Sequence, residues 1–175
     1  MIRLVISLFL VLGVAANAQK PKGNKVINGK VTAITDGDTF KLLTKDSILI
    51  RVRLANVDCP ERKQPFSAKA KQFVSEAIFG DIINIYVLKN DRYGRYIANV
   101  IYADSLNLSE ELVKHGLAWH YVKYSNDNNL QGLEDIAKKN KIGLWQDPTS
   151  IAPWEWRANK KEAFRLKKLS KEKNQ

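Results

Sequence analysis

Three short β-rich runs follow one another between Val26 and Val57, and they constrain the fold more than any other stretch of this 175-residue chain. Val26 to Ile34, Thr39 to Leu43 and Ser47 to Val57 are separated by Asp36-Gly37 and by Thr44-Lys45-Asp46, residues suited to closing hairpins. A β-meander is expected. In the third run Ile48, Ile50, Val52 and Leu54 fall on one face, with Arg51, Arg53 and Ala55 on the other, because side chains alternate along a strand. Arg53 therefore points away from the aliphatic set.

Downstream, Ala70, Phe73, Val74, Ala77 and Ile78 recur at helical spacing within Pro65 to Ile78, and Gly80 supplies a stop. Asp81 to Leu88 and Arg95 to Tyr102 read as two further strands around a polar turn, Lys89 to Gly94. Ser109 is placed as the cap of a short helix ending near Gly116, and another helix fits Asn128 to Lys141 ahead of Gly143. Three strands, a helix, two strands and then helices is the order of an α+β chain built on a five-stranded OB-type β-barrel, with about three helices. Residues 148–175 are expected to form an aromatic turn with Trp154 and Trp156, then a basic C-terminal helix or tail from Pro153.

The first residues have a different character. Arg3, an apolar stretch from Leu4 to Ala15 and the small-x-small sequence Ala16-Asn17-Ala18 predict a secretory signal over residues 1–18. The stretch is shorter than the roughly 18 apolar residues a permanent span needs, so no membrane anchor is expected. A flexible leader over 19–25 and a single domain over 26–147 complete the expected organisation. The protein is then secreted or periplasmic, and a monomer. The one cysteine, Cys59, cannot form an internal disulfide, so stability must come from packing.

Lysine and arginine outnumber aspartate and glutamate 29 to 18, a formal net charge of +11. Such an excess favours a polyanionic partner. Charge alone leaves open a merely soluble basic protein or one that clings to anionic lipid. The lipid reading lacks a long amphipathic face with the needed apolar side.

Three segments could carry chemistry. Asp36-Gly37-Asp38-Thr39 taken alone is most simply a hairpin turn. Arg51-Val-Arg53-Leu-Ala-Asn-Val-Asp58-Cys59-Pro60-Glu61 sets a strand arginine before two carboxylates three residues apart. Asp91-Arg92-Tyr93-Gly94-Arg95 is a charged turn that launches a strand. The spacings suit adjacent strands of one small barrel. His115 and His120 are a poor metal pair near a helix end, and no histidine or cysteine cluster is present.

These segments, with Gly116-Leu-Ala-Trp119, Gly143-Leu-Trp145 and Pro153-Trp154-Glu-Trp156-Arg157, resemble the thermonuclease family, whose best-known member is staphylococcal nuclease. The resemblance runs from about Val26 to Trp145, with the last motif similar to endings of bacterial homologues. It implies an OB barrel and Ca²⁺-dependent endonucleolytic cleavage of DNA and RNA, leaving 3′-phosphate ends. Asp38 and Asp58 match the metal-binding carboxylates, with the backbone carbonyl of Cys59 as a third protein ligand for one ion. That set suits Ca²⁺, a hard cation whose remaining positions go to water and phosphate. Arg53 and Arg95 match the arginines that grip the scissile phosphate, a task suited to guanidinium forks. Glu61 matches the carboxylate assigned as general base.

Arg92, Tyr93, Tyr121 and Tyr124 are candidates for nucleic-acid binding, because rings stack on bases with little sequence preference. Tyr121 and Tyr124 alternatively pack in the core. Two departures from the best-known member stand out: the stretch from Glu61 to Pro65 is shorter, and the basic segment after Trp156 lies beyond that member's end. Some relatives use the same barrel to hold strands without cutting them. The presence of Asp38, Arg53, Asp58, Glu61 and Arg95 favours an enzyme.

Overall fold

The computed structural model of the chain describes residues 25–173. The expected signal segment over 1–18, and the leader up to residue 24, lie outside the described residues. Lys25, expected in the leader, is the first residue of β1 (Lys25–Ile34). β2 (Thr39–Thr44) and β3 (Leu49–Leu54) follow, then a two-residue β4 (Val57–Asp58), α1 (Ser67–Ile78), β5 (Ile82–Asn90) and β6 (Tyr96–Tyr102). A short β7 (Leu106–Asn107) leads into α2 (Leu108–Lys114), and β8 (Trp119–His120) precedes α3 (Asn128–Lys139). A 3₁₀ turn over Gly143–Gln146 then connects to α4 (Pro153–Lys173).

β1, β2 and β3 form the expected meander, and β5 and β6 continue the same sheet in the order β3-β2-β1-β5-β6-β7. A parallel pairing of β3 with β6, Val52 opposite Tyr96 through Leu54 opposite Ala98, closes the five long strands into a barrel. Closure leaves those strands no open edge. Breaks in register between Val31 and Ala33, and between Val87 and Lys89, bend the strands where closure needs curvature. Val31, Phe40, Leu42, Val52, Leu54, Ile85 and Val100 are buried in the core, where α1 adds Ala70, Val74 and Ile78 and α2 adds Leu108, Leu112 and Val113.

Several boundaries differ from the sequence reading for one recurrent reason. Ser47, Asn56, Phe66 and Lys141 adopt positive φ without being glycine, and each lies at or beside an element's end. Ser47 closes the β2–β3 turn by donating its N–H to the Thr44 carbonyl. Ile48, expected on the buried face, consequently precedes the strand and is exposed. Asn56 stops β3 short of Val57, Phe66 delays α1 to Ser67, and Lys141 lies beyond α3, which ends at Lys139. Ser109 is not the cap of α2. Asn107 caps it by accepting the Ser109 N–H at 3.0 Å, while the Ser109 hydroxyl donates to the Ala55 carbonyl.

The end of α2 is locked to the C-terminal segment. Gly116 and Gly143 both have positive φ, and their backbones approach so closely that a Cβ on either would collide with the other's strip of chain. The Leu144 N–H donates to the Gly116 carbonyl at 2.8 Å. Trp119, Leu144 and Ala152 pack as a second small core with Trp145 and Trp154, which fixes where α4 starts. The expected helix or tail is a helix. From Arg157 to Glu172 it is exposed throughout.

Candidate active site

The candidate carboxylates converge where β2 begins and β3 ends. Asp38 follows the turn after β1, where Asp36 accepts the Asp38 N–H at 3.1 Å. Its own Oδ1 accepts the Thr39 hydroxyl at 3.0 Å, and its Oδ2 accepts the Cys59 N–H at 3.0 Å. These bonds fix the Asp38 carboxylate against the Asp58-Cys59 strip. Alternation on β3 turns Arg53 away from the core, as its sequence position requires. Its Nη1 donates to the carbonyls of Leu54 and Val57 at 3.0 and 3.1 Å, which orients the guanidinium plane. Nη2 then reaches Asp58 Oδ1 at 2.8 Å and Asp38 Oδ2 at 3.4 Å.

Glu61 joins this network through a residue from the far end of the chain. Arg157, in the first turn of α4, contacts Asp58 Oδ2 at 2.8 Å and Glu61 Oε1 at 2.6 Å. The loop between them is braced by Gln64, whose side chain accepts the Glu61 N–H and donates to the Ile151 carbonyl. Asp38, Arg53, Asp58, Cys59, Glu61 and Arg157 are thus one connected cluster. Sequence reasoning quoted Arg157 within a motif but gave it no role. It is 99 residues from Asp58, and no local pattern announces that pairing.

The cluster is rich in negative charge. Asp36 is pushed up to about 6, first by burial and then by the Asp38 carboxylate. Asp58 is also raised, by burial foremost and by Asp38, against the opposing pull of Arg157 and Arg53. Burial works against the charge of Arg53, yet Asp38 and Asp58 hold its pKa above the ordinary arginine value. Burial and three neighbouring aspartates push the Cys59 thiol well up. A thiol held neutral is a poor nucleophile, so what Cys59 offers the cluster is its backbone.

Arg95 stands apart from this network. It precedes β6, and its Nε is paired with Asp91 Oδ2 at 2.7 Å. Asp91 Oδ1 accepts the N–H groups of Tyr93 and Arg95, both at 2.9 Å. Although burial opposes it, these bonds hold Asp91 below the usual carboxylate value. The pairing of β3 with β6 brings Arg53 opposite Ile97, two residues from Arg95, and the Arg51 side chain donates to the Tyr93 carbonyl. The turn carrying Arg95 is therefore fastened to the strand carrying Arg53.

The aromatic candidates divide between two places. Tyr93 is exposed, with the Arg92 guanidinium 4.8 Å from its ring centroid and that of Arg95 at 5.7 Å. Tyr121 lies beside the cluster, its ring centroid 5.9 Å from Arg53 Cζ. One of its faces is already stacked on Trp154, with centroids 5.2 Å apart and planes within 1°. Tyr124 meets the Tyr121 ring edgewise and is itself exposed. His120 is buried, its ring nitrogens facing Gln131 and Ser125, and His115 contacts the Glu111 carbonyl. His120 is held within the packed structure, and His115 is exposed.

The donors on offer are carboxylate and carbonyl oxygens, which suit a hard divalent cation rather than zinc or copper. Among the described residues no three His, Cys, Asp or Glu side chains form a ready-made cage. A cation would rest on Asp38 and Asp58, whose carboxylates repel one another, while burial foremost and Asp38 next raise Asp36, and burial also leads the rise of Asp58. Guanidinium forks beside such a centre can pair with an anionic ester.

Comparison with known proteins points the same way. A family model described as "Staphylococcal nuclease homologue" matches residues 51–147. The chain is 34% identical over 134 residues to an "Uncharacterized endonuclease" of Escherichia coli O157:H7, covering 77% of this chain and 87% of that protein. It is 36% identical over 158 residues to an "Uncharacterized endonuclease" of Haemophilus influenzae, covering 90% and 86%. To a "Micrococcal nuclease" of Shigella flexneri it is 35% identical over 146 residues, covering 77% and 83%.

Proposed function

The chain belongs to the staphylococcal nuclease homologue family, and we propose that it is an endonuclease hydrolysing phosphodiester bonds of DNA and RNA with one Ca²⁺ ion, leaving 3′-phosphate ends. The observation that carries this reading is the single network joining Asp38, Arg53, Asp58 and Glu61 at the end of β3. Relatives named endonuclease and micrococcal nuclease support the reaction class. The excess of positive charge supports a polyanionic substrate.

Asp38, Asp58 and the Cys59 carbonyl would hold the ion, which when bound supplies Lewis acidity and lowers the pKa of coordinated water. Arg53 is pre-aimed by its two carbonyl contacts, so stabilising charge on the phosphorus oxygens requires little reorganisation. Arg95, on the turn before β6, would serve as the second fork on exchanging Asp91 for phosphate. Glu61 is the base that orients and deprotonates the attacking water. Arg92 and Tyr93 on one side, and Tyr121 and Tyr124 on the other, flank the nucleotide. Stacking on Trp154 leaves Tyr121 as a wall and Tyr124 as the more open platform.

Export is part of the proposal, because extracellular calcium suits a weak, substrate-completed site. No helix among the described residues is long and apolar enough to cross a membrane. A monomer suffices, since the proposed site draws on residues of one chain.

Plasmid DNA incubated with the purified protein tests this reading. Progressive fragmentation with Ca²⁺, none with EDTA, and ends that a 3′-phosphatase makes extendable are expected. Cleavage unaffected by EDTA would remove the metal from the account, and retention of intact plasmid on the protein would make it a binding module.

A further inference from the structure

The corner where a divalent cation would sit already holds two cationic side chains of the protein, Arg53 and Arg157. Both oxygens of the Asp58 carboxylate are capped: Oδ1 by Arg53 at 2.8 Å and Oδ2 by Arg157 at 2.8 Å. The same Arg157 fork spans to Glu61 Oε1 at 2.6 Å. The Asp58 side chain is 2% exposed, while that of Arg157 is 42% exposed. Arg157 therefore approaches from the solvent side, the side from which an ion would arrive. It is not a core strut. Its placement comes from the residues before it, through the Tyr121–Trp154 stack and the buried Ala152, and α4 beyond it is exposed.

We propose that Arg157 is a tethered counterion that sets the strength of divalent-cation binding by occupying the Asp58 oxygen the ion must take. The proposal rests on the metal reading given above, and adds to it a residue not yet assigned a role. Two consequences follow from electrostatics. A positive group beside the carboxylates repels an incoming cation, and its bonds to Asp58 must be exchanged for those of the ion. Its presence also keeps Asp58 and Glu61 from facing one another uncompensated in the ion-free protein. A residue that merely pre-shaped the site would act oppositely, since its loss would weaken metal binding.

The test is a calorimetric titration of the full chain with CaCl₂ alone, without nucleic acid, for the parent, Arg157→Ala, Arg157→Lys and Asp58→Asn. Arg157→Ala is expected to bind Ca²⁺ about three- to tenfold more tightly than the parent. Arg157→Lys, which keeps the charge but loses the fork, falls between them, and Asp58→Asn binds weakly or not at all. Unchanged or weaker binding by Arg157→Ala, with the parent still binding, overturns the proposal and leaves the metal reading standing. No binding by the parent and by Arg157→Ala alike at millimolar Ca²⁺, repeated with a cleavage-resistant nucleotide analogue present, removes both. Thermal unfolding in EDTA checks that each variant is folded, as expected for the Arg157 variants because that side chain is 42% exposed and for Asp58→Asn because the side-chain size is kept.

Discussion

Replacing Asp36 with asparagine probes the cost of holding a partly buried carboxylate beside Asp38. Asp36 is raised from 3.8 to about 6, so the folded chain holds that proton more tightly than the unfolded chain does. The stabilisation from the protonated form is present below the unfolded value near 3.8 and lost as pH rises through about 6. A shift of about two units corresponds to about 3 kcal/mol. Because Asp36 is only half-buried, solvent screening lowers the expectation to about 1–3 kcal/mol. Asparagine keeps an acceptor for the Asp38 N–H, so the turn itself survives. Urea unfolding in EDTA at about pH 8 should show Asp36→Asn more stable than the parent by that amount, with the gap closing near pH 4. Added Ca²⁺ should narrow the gap at the higher pH, because the ion supplies the missing charge to the parent. Equal stability at high pH, or a benefit confined to low pH, would refute the reasoning.

Other expectations follow from the same geometry. Arg53→Lys removes the planar fork, and cleavage should fall by about a hundred- to a thousandfold with the fold intact by circular dichroism; a folded variant cutting at the parental rate would strip Arg53 of its role. Gly116→Ala forces a left-handed alanine into the Ile142 carbonyl and should cost about 3 kcal/mol or more in thermal unfolding, whereas an unchanged midpoint would contradict the lock between α2 and the C-terminal segment. With a net charge of +11, affinity for single-stranded DNA, measured in Ca²⁺ with a cleavage-resistant analogue, should fall steeply with salt; a flat dependence would deny phosphate contacts.

The barrel was legible because its strands alternate and its turns carry Asp and Gly, information held within a few residues. The register that closes it was not, since the pairing of Val52 with Tyr96 joins strands with a helix and two strands between them. Element ends shifted where a serine, asparagine, phenylalanine or lysine took the left-handed conformation that sequence reading reserves for glycine. Ile48 was lost to solvent by that route. The candidate carboxylates and Arg53 came from short motifs that lie on adjoining strands, so folding needed only local register to gather them. Arg157 reaches the cluster through the Gly116–Gly143 lock and the stacked Tyr121–Trp154 pair, contacts between residues remote in sequence. Long-range packing of that kind leaves no periodic trace.

The most direct measurement is anomalous diffraction from a crystal soaked with Ca²⁺ and a short deoxynucleotide. The expected result is one ion bound by both Asp38 and Asp58, with a phosphate oxygen on the same ion and within hydrogen-bond reach of Arg53. An ion elsewhere on the protein, or a phosphate seated away from Arg53 with Asp38 and Asp58 unliganded, would contradict the account.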